Sequence, residues 1–479
     1  MKIRYFLIVL YSFFVFEAIG QPDRPNFMII IGDDISWDDL GCYGNPTVKS
    51  PNIDQLANEG IKFTNTFLTA SSCSPSRCSI IAGRYPHNTG AAELHTALPA
   101  GMPTLPGELK NSGYYTASAG KWHLGPHTKV DFDLVVEKDN GDGGEDQWIR
   151  VLRERPKDKP FFMWFASFDA HRDWQIDKLA TPHNPDKSIV PPYLADAPGT
   201  RQDLAYYYDE IQRLDRFVGE VRQELIRQKV AENTLIIVMA DNGRPFPRAK
   251  TRVYDSGMKT PFVLNWPNGQ SKLGLECNSL ISVIDIAPTF LELAGIEAGP
   301  TFQGVSFVKV IGNPSTEHRQ YVFAEHNWHD YEAHERMVRT KYYMYVVNNR
   351  PQFPNQGPAD SNRSPSYKDL KSVRDAGKLN AAQADVFITP RPQEELFDCL
   401  IDPEQISNVA SNSRYHEILD DLRSVMHQWI IETGDDVPGK LTESWYDPET
   451  GERLDVDQVR GEMPGAKTNA AKLNNKGPF

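Results

Sequence analysis

At 479 residues with a formal net charge of −13, the chain is too long for one small core and suits a large α/β domain with a smaller one beside it. That charge excludes nucleic acid and an anionic membrane surface as main partners, while a local cationic pocket for an anionic substrate stays open. Aromatic residues, at 11%, suffice for a globular core and for surfaces on which sugar rings stack.

In chain order, residues 1–20 have the form of a signal peptide. Lys2 and Arg4 supply the charged start, Tyr5 to Phe16 the apolar run, and Ala18-Ile19-Gly20 a small-residue cleavage site. Glu17 interrupts the run too early for a membrane anchor, and no second segment is apolar enough to span a bilayer. The expectation is an exported, periplasmic or secreted protein without a membrane span. The five cysteines (Cys42, Cys73, Cys78, Cys277 and Cys399) leave at least one outside any disulfide framework. The other four allow two bridges or four free thiols.

Four short apolar runs share one grammar. Phe27 to Ile31 ends at Gly32-Asp33-Asp34, and Tyr114 to Ala119 ends at Gly120-Lys121-Trp122-His123. Phe161 to Phe168 ends at Asp169-Ala170-His171, and Leu235 to Met239 at Ala240-Asp241-Asn242. Unbroken runs of this kind predict strands buried on both faces. Sites in open α/β sheets form beyond the carboxyl ends of such strands. Between them, Ile53 to Gly60, Asp203 to Gln228 and Ile284 to Ala294 carry apolar residues at helical spacing. The alternation predicts an α/β sandwich. After about residue 305, Gln320 to Glu325, Tyr342 to Asn348 and Glu395 to Phe397 read as strands and Tyr415 to Thr433 as an amphipathic helix, a smaller α+β subdomain. Residues 349–392 read as a long surface segment, and those beyond about 440 as a polar tail without assigned structure.

The most specific stretch is Ser71-Ser72-Cys73-Ser74-Pro75-Ser76-Arg77-Cys78-Ser79-Ile80-Ile81-Ala82-Gly83. Pro75 suits the first turn of a helix with Ser74 as its cap. Cys73 then sits at the helix amino terminus, where the dipole favours negative charge, and Arg77 leans back toward it from one turn on. Asp33, Asp34, Asp241 and Asn242 offer only oxygen ligands, a donor set for calcium or magnesium rather than zinc; the flexible geometry of two strand ends favours one Ca2+.

This stretch, with its C-x-P-S-R core, resembles position for position the signature of the formylglycine-dependent sulfatases. Gly120 to Gly125 resembles their G-K-W-H-L-G motif, and Lys250 to Gly257 is similar to their K-x-x-x-Y-E-x-G. The resemblance implies an alkaline-phosphatase-like fold, a large mixed sheet sandwiched by helices, over 21–320. A smaller α+β subdomain over 321–440 and the tail 441–479 complete the chain. It implies that a formylglycine-generating or anaerobic sulfatase-maturing enzyme oxidises Cys73 to an aldehyde, which hydrates to a gem-diol. Asp33, Asp34, Asp241, Asn242 and Cys73 are then the metal set, with Arg77 beside them. Lys121, His171 and Lys250 bind sulfate, one of the last two giving a proton to the leaving group. Asp241 takes the proton of the attacking hydroxyl, and His123 removes the second, releasing sulfate. His95 and Arg172 are further substrate-binding candidates, and His87, His326 and His329 also fall near the core motifs.

Asp241-Asn242-Gly243-Arg244-Pro245-Phe246-Pro247 resembles the D-N-G-x-P-F-P of the sulfamidases, the N-sulfoglucosamine sulfohydrolases. Sulfamidases carry Arg where Lys250 stands and a second Lys where Trp122 stands. The expected substrate is therefore a sulfated polysaccharide or its oligosaccharides, such as ulvan or a glycosaminoglycan, with O-sulfate ahead of N-sulfate. An N-sulfoglucosamine sulfohydrolase on heparan-type glycans, a phosphodiesterase or phosphonate hydrolase of the same superfamily, and a glycan-binding protein with unconverted Cys73 are the alternatives.

Overall fold

The first apolar run forms the central strand, β1 (Asn26–Gly32), buried along its whole length. Phe27, Ile29 and Ile31 face one hydrophobic core, Met28 and Ile30 the other. A strand with a core on each side needs no polar alternation, which is why the run is unbroken. The structure is a computed structural model and describes residues 24–137, 144–176, 181–270 and 272–479. The signal-peptide expectation lies outside the described residues. Among them, no helix is long and apolar enough to cross a membrane.

The large sheet adds β2 (Ile61–Phe63), β3 (Tyr115–Gly120), β4 (Leu134–Glu137), β5 (Phe161–Ala166), β6 (Thr234–Ala240), β7 (Phe262–Asn265) and β8 (Leu275–Cys277). Its order is β4-β3-β5-β1-β6-β7-β2-β8. The sheet is mixed: β1 runs parallel to β5 and β6, while β7 is antiparallel to both neighbours. Helices α1 (Pro51–Glu59) and α3 (Pro198–Arg227) pack with the Met28 core, and α2 (Cys73–Ala82) and α4 (Ile286–Leu293) with the Phe27 core. The fold is the expected α/β sandwich, with four parallel strand ends, those of β1, β3, β5 and β6, side by side.

A second sheet is antiparallel, in the order β9 (Val322–His326), β10 (Glu335–Arg339), β11 (Tyr343–Asn348) and β12 (Glu394–Asp398), and helix α7 (His416–Thr433) lies on it. Strand β10 escapes a hydropathy reading because it buries charge: Glu335, Arg336 and Arg339 are all inside, each in an ion pair. Arg336 forks onto Asp435 just past α7, at 2.6 and 2.9 Å, with both side chains 2% exposed. Replacing it by alanine strands a buried carboxylate. Arg336→Ala is therefore expected to cost about 3–5 kcal/mol, read by urea denaturation; a loss under about 1 kcal/mol contradicts this pairing.

Residues 349–392 differ from the expected surface segment. They contain α5 (Ala359–Asn362), α6 (Pro365–Asp375) and a short helix at Ala381–Asp385, with Ser361, Asn362, Tyr367 and Leu370 buried. The prolines that looked like loop residues start helices: Pro358 precedes α5, and Pro365 opens α6 behind the Ser364 cap. The 441–479 segment has little regular structure but packs closely. Arg460 bonds Glu93 at 3.0 Å and the Leu94 carbonyl at 2.6 Å, and Arg84 bonds Asn474 and the Leu473 carbonyl. No disulfide links any of the five cysteines.

Candidate active site

Cys73 is the first residue of α2; Ser72 rather than the expected Ser74 stands at the N-cap position, and its side chain does not cap the helix. The Ser74 hydroxyl accepts instead from the His95 backbone N–H at 2.7 Å, tying the 93–95 loop to the helix start. The Ser72 hydroxyl pairs with His329 Nδ1 at 2.7 Å. Burial pushes the Cys73 thiol well above its ordinary range, with Lys121 and Lys250 pulling the other way. An unmodified thiol here is thus a poor nucleophile at neutral pH.

The strand ends converge on it. Cys73 Sγ lies 3.7 Å from Asp33 Oδ1 and 3.9 Å from Asp34 Oδ1. Asp34 stands in left-handed backbone, φ 61°, directly after β1, and its N–H donates to Asp241 Oδ1 at 3.2 Å. Arg77 is fully buried, donates from Nε to Asp241 Oδ2 at 2.7 Å and from Nη1 to the Lys121 carbonyl at 3.3 Å. Lys121 Nζ donates to Asp33 Oδ2, and Lys250 Nζ to Asp34 Oδ2 at 2.6 Å. Burial works against both ammonium groups. Asp33 beside Lys121 and Asp34 beside Lys250 outweigh it and hold both above the usual lysine range.

Asn242 donates its amide nitrogen to Asp34 Oδ1, and its own Oδ1 is buried with no hydrogen-bond partner among the described residues. A buried acceptor left over beside three carboxylates is what a hard cation takes. Asp33, Asp34 and Cys73 bring ligand atoms within 4.8 Å of one another. The residues present fit a calcium- or magnesium-type ion held by Asp33, Asp34, Asp241 and Asn242.

The remaining groups line a cavity of about 510 Å³ above Cys73. His123 and His95, both in left-handed backbone (φ 55° and 62°), face each other with Nε2 and Nδ1 2.7 Å apart. His123 Nδ1 is buried without a hydrogen-bond partner among the described residues. Burial, then the Lys121 charge, lowers His123 far below the ordinary histidine value of 6.5. His171 Nε2 lies 4.0 Å from Asp34 Oδ2 and 4.0 Å from Asp360 Oδ2.

Arg172 does not line this cavity and is corrected as a substrate ligand. Its guanidinium forks onto Asp203 at 2.8 and 2.7 Å and stacks on Trp174 and Phe246, both 4.6 Å away, which holds it away from the cavity. Its Nε bonds the Pro245 carbonyl at 2.9 Å, which braces the loop after Asn242. His87 and His326 are buried against Glu325 and Glu335, at 2.6 and 2.7 Å, and stay out of the cavity; His329 lines it. Asp330, Asp360, Arg363 and Tyr446 also line it, and no motif in the sequence marked them. The prolines around α5 were the one available signal.

A nucleophile position at a helix start, walled by carboxylates and faced by fixed cations, defines a hydrolase that attacks esters of a tetrahedral oxyanion. Residues 25–142 and 145–296 match the sulfatase family, and 248–350 match the domain described as N-sulphoglucosamine sulphohydrolase, C-terminal. An ulvan-active sulfatase of Formosa agariphila is 31% identical over 467 residues, covering 87% of this chain and 76% of its own. The human N-sulphoglucosamine sulphohydrolase is 29% identical over 463 residues, covering 86% of this chain and 91% of its own. A solved structure of a protein in complex with its substrate D-glucosamine-2-N,6-O-disulfate shares the fold, with TM-score 0.67 at 19% identity, over 85% of this chain and 98% of that one. The chain belongs to the sulfatase family, on the alkaline-phosphatase-like fold, near the sulfamidase branch. It is a sulfuric ester hydrolase.

Proposed function

We propose that this enzyme is an exported sulfatase that removes O-sulfate from a sulfated polysaccharide or its oligosaccharides, with Cys73 converted to formylglycine by a maturing enzyme. The observation that carries it is the position of Cys73, 3.7 and 3.9 Å from two buried carboxylates and beneath a cavity lined by Lys121, Lys250 and His171. The relatives acting on ulvan and on N-sulphoglucosamine support a saccharide substrate. Lys250 and Trp122, where sulfamidases differ, favour O-sulfate.

Asp33, Asp34, Asp241, Asn242 and the modified residue 73 would hold one Ca2+, which supplies Lewis-acid charge neutralisation when bound. The aldehyde supplies a hydrated nucleophile that a thiol cannot. The chain's own residues do the rest. Arg77 holds Asp241 in place, so that its carboxylate can take a proton from a group at position 73. Lys121, Lys250 and His171 bind the sulfate oxygens, and His171 or Lys250 protonates the departing oxygen. His123 takes the second proton and passes it along its contact with His95.

This has a pH consequence. His123 works as a base only when neutral, and its lowered value keeps it neutral further into acid. The acid limb of the kcat profile is therefore expected well below the ordinary 6.5. A midpoint at or above 6.5 contradicts the role of His123. The function itself is tested by sulfate release from ulvan oligosaccharides and from N-sulfoglucosamine, set against phenol release from an aryl phosphodiester. Turnover led by the O-sulfated saccharide is expected; preference for the phosphodiester contradicts the proposal.

A further inference from the structure

The family matches end at residues 296 and 350, yet the cavity takes Asp360, Arg363 and Tyr446 from beyond both. These residues stand on a braced turn. The Ala359 N–H donates to Asp330 Oδ2 at 2.9 Å, and the Asn362 amide donates to Tyr331 Oη at 2.9 Å and the Pro448 carbonyl at 3.0 Å. The chain 446–453 folds back on itself, with Tyr446 paired to Arg453. Gly451 at its tip lies so close that a Cβ would come 2.3 Å from the Ala359 carbonyl.

On this frame Asp360 spends Oδ1 on the Ser361 N–H at 2.6 Å, while Oδ2, 4.0 Å from His171, accepts no hydrogen bond among the described residues. Its side chain is 21% exposed. Arg363 is exposed, and its one hydrogen bond among the described residues is Nη1 to the Gly451 carbonyl at 2.5 Å. That bond fixes the guanidinium and leaves Nε and Nη2 for a ligand. A carboxylate next to the sulfate-binding cations cannot take an anion, but it accepts a hydrogen bond from a neutral hydroxyl. A fixed guanidinium whose Nε and Nη2 remain open suits an oxyanion that accepts two hydrogen bonds side by side.

We propose that Asp360 and Arg363 form the subsite for the sugar carrying the scissile sulfate. Asp360 accepts from a free ring hydroxyl, and Arg363 pairs with a second anionic substituent, a carboxylate or another sulfate, on the same saccharide. The inference rests on the saccharide-sulfatase reading above.

The test compares kcat/KM on ulvan oligosaccharides and on 4-nitrophenyl sulfate, which has no sugar, for the wild type, Asp360→Asn and Arg363→Ala. Each variant is expected to lower the saccharide-over-aryl ratio about 20-fold or more. Carboxyl-reduced oligosaccharides identify the second anion: they abolish the Arg363→Ala effect if it is a carboxylate and preserve it if it is a sulfate. A ratio that stays within about threefold of wild type overturns the subsite, as does an equal loss on both substrates, which marks Asp360 as a partner of His171. A wild type that cleaves the aryl sulfate and no saccharide sinks the saccharide reading and the subsite together.

Discussion

Cys73→Ser is expected to retain less than about a hundredth of wild-type turnover while folding normally. Serine is nearly the same size, and residue 73 is 2% exposed, so packing changes little. What is lost is chemistry. A serine hydroxyl at the start of α2 can attack sulfur, but the resulting ester has no second hydroxyl whose deprotonation by His123 would expel sulfate. The variant should therefore trap sulfate on the protein, visible by mass, rather than merely slow down. Near-normal turnover would show that residue 73 is not the nucleophile.

Chelation should be the second large effect. Asp33, Asp34 and Asp241 are each fully buried, and the Asn242 acceptor has no partner among the described residues. Dialysis against EDTA is expected to abolish sulfate release, with recovery on calcium and not on zinc, since every donor is a hard oxygen. Calcium at about 100 times its dissociation constant should stabilise the fold by about 2.7 kcal/mol, seen as a rise in Tm. Full activity with no change in Tm after chelation contradicts a metal at these four residues.

Much of the candidate site was legible from the chain because its physics is local. Each buried strand ends in its own polar payload, so Asp33-Asp34, Lys121 with His123, His171 and Asp241-Asn242 were found without knowing the sheet order. Arg77 needed only one helical turn. The rest depends on long-range packing. Arg172 looked like a ligand because it follows His171, but Asp203, thirty-one residues away, claims it. The rim formed by Asp330, Asp360, Arg363 and Tyr446 is assembled from three distant segments, and two of them lie in stretches whose prolines and polar residues resemble loops. Strand β10 was invisible because its buried residues are charged and paired in space, which hydropathy does not record.

The central claim is that Cys73 is the precursor of the nucleophile. Intact mass of the peptide spanning Ser71 to Arg77, taken from protein made in its native host, tests it most directly. The account predicts a peptide about 18 Da lighter than the cysteine form, the difference between a thiol side chain and an aldehyde. An unmodified thiol in protein that turns over sulfated saccharide would contradict it.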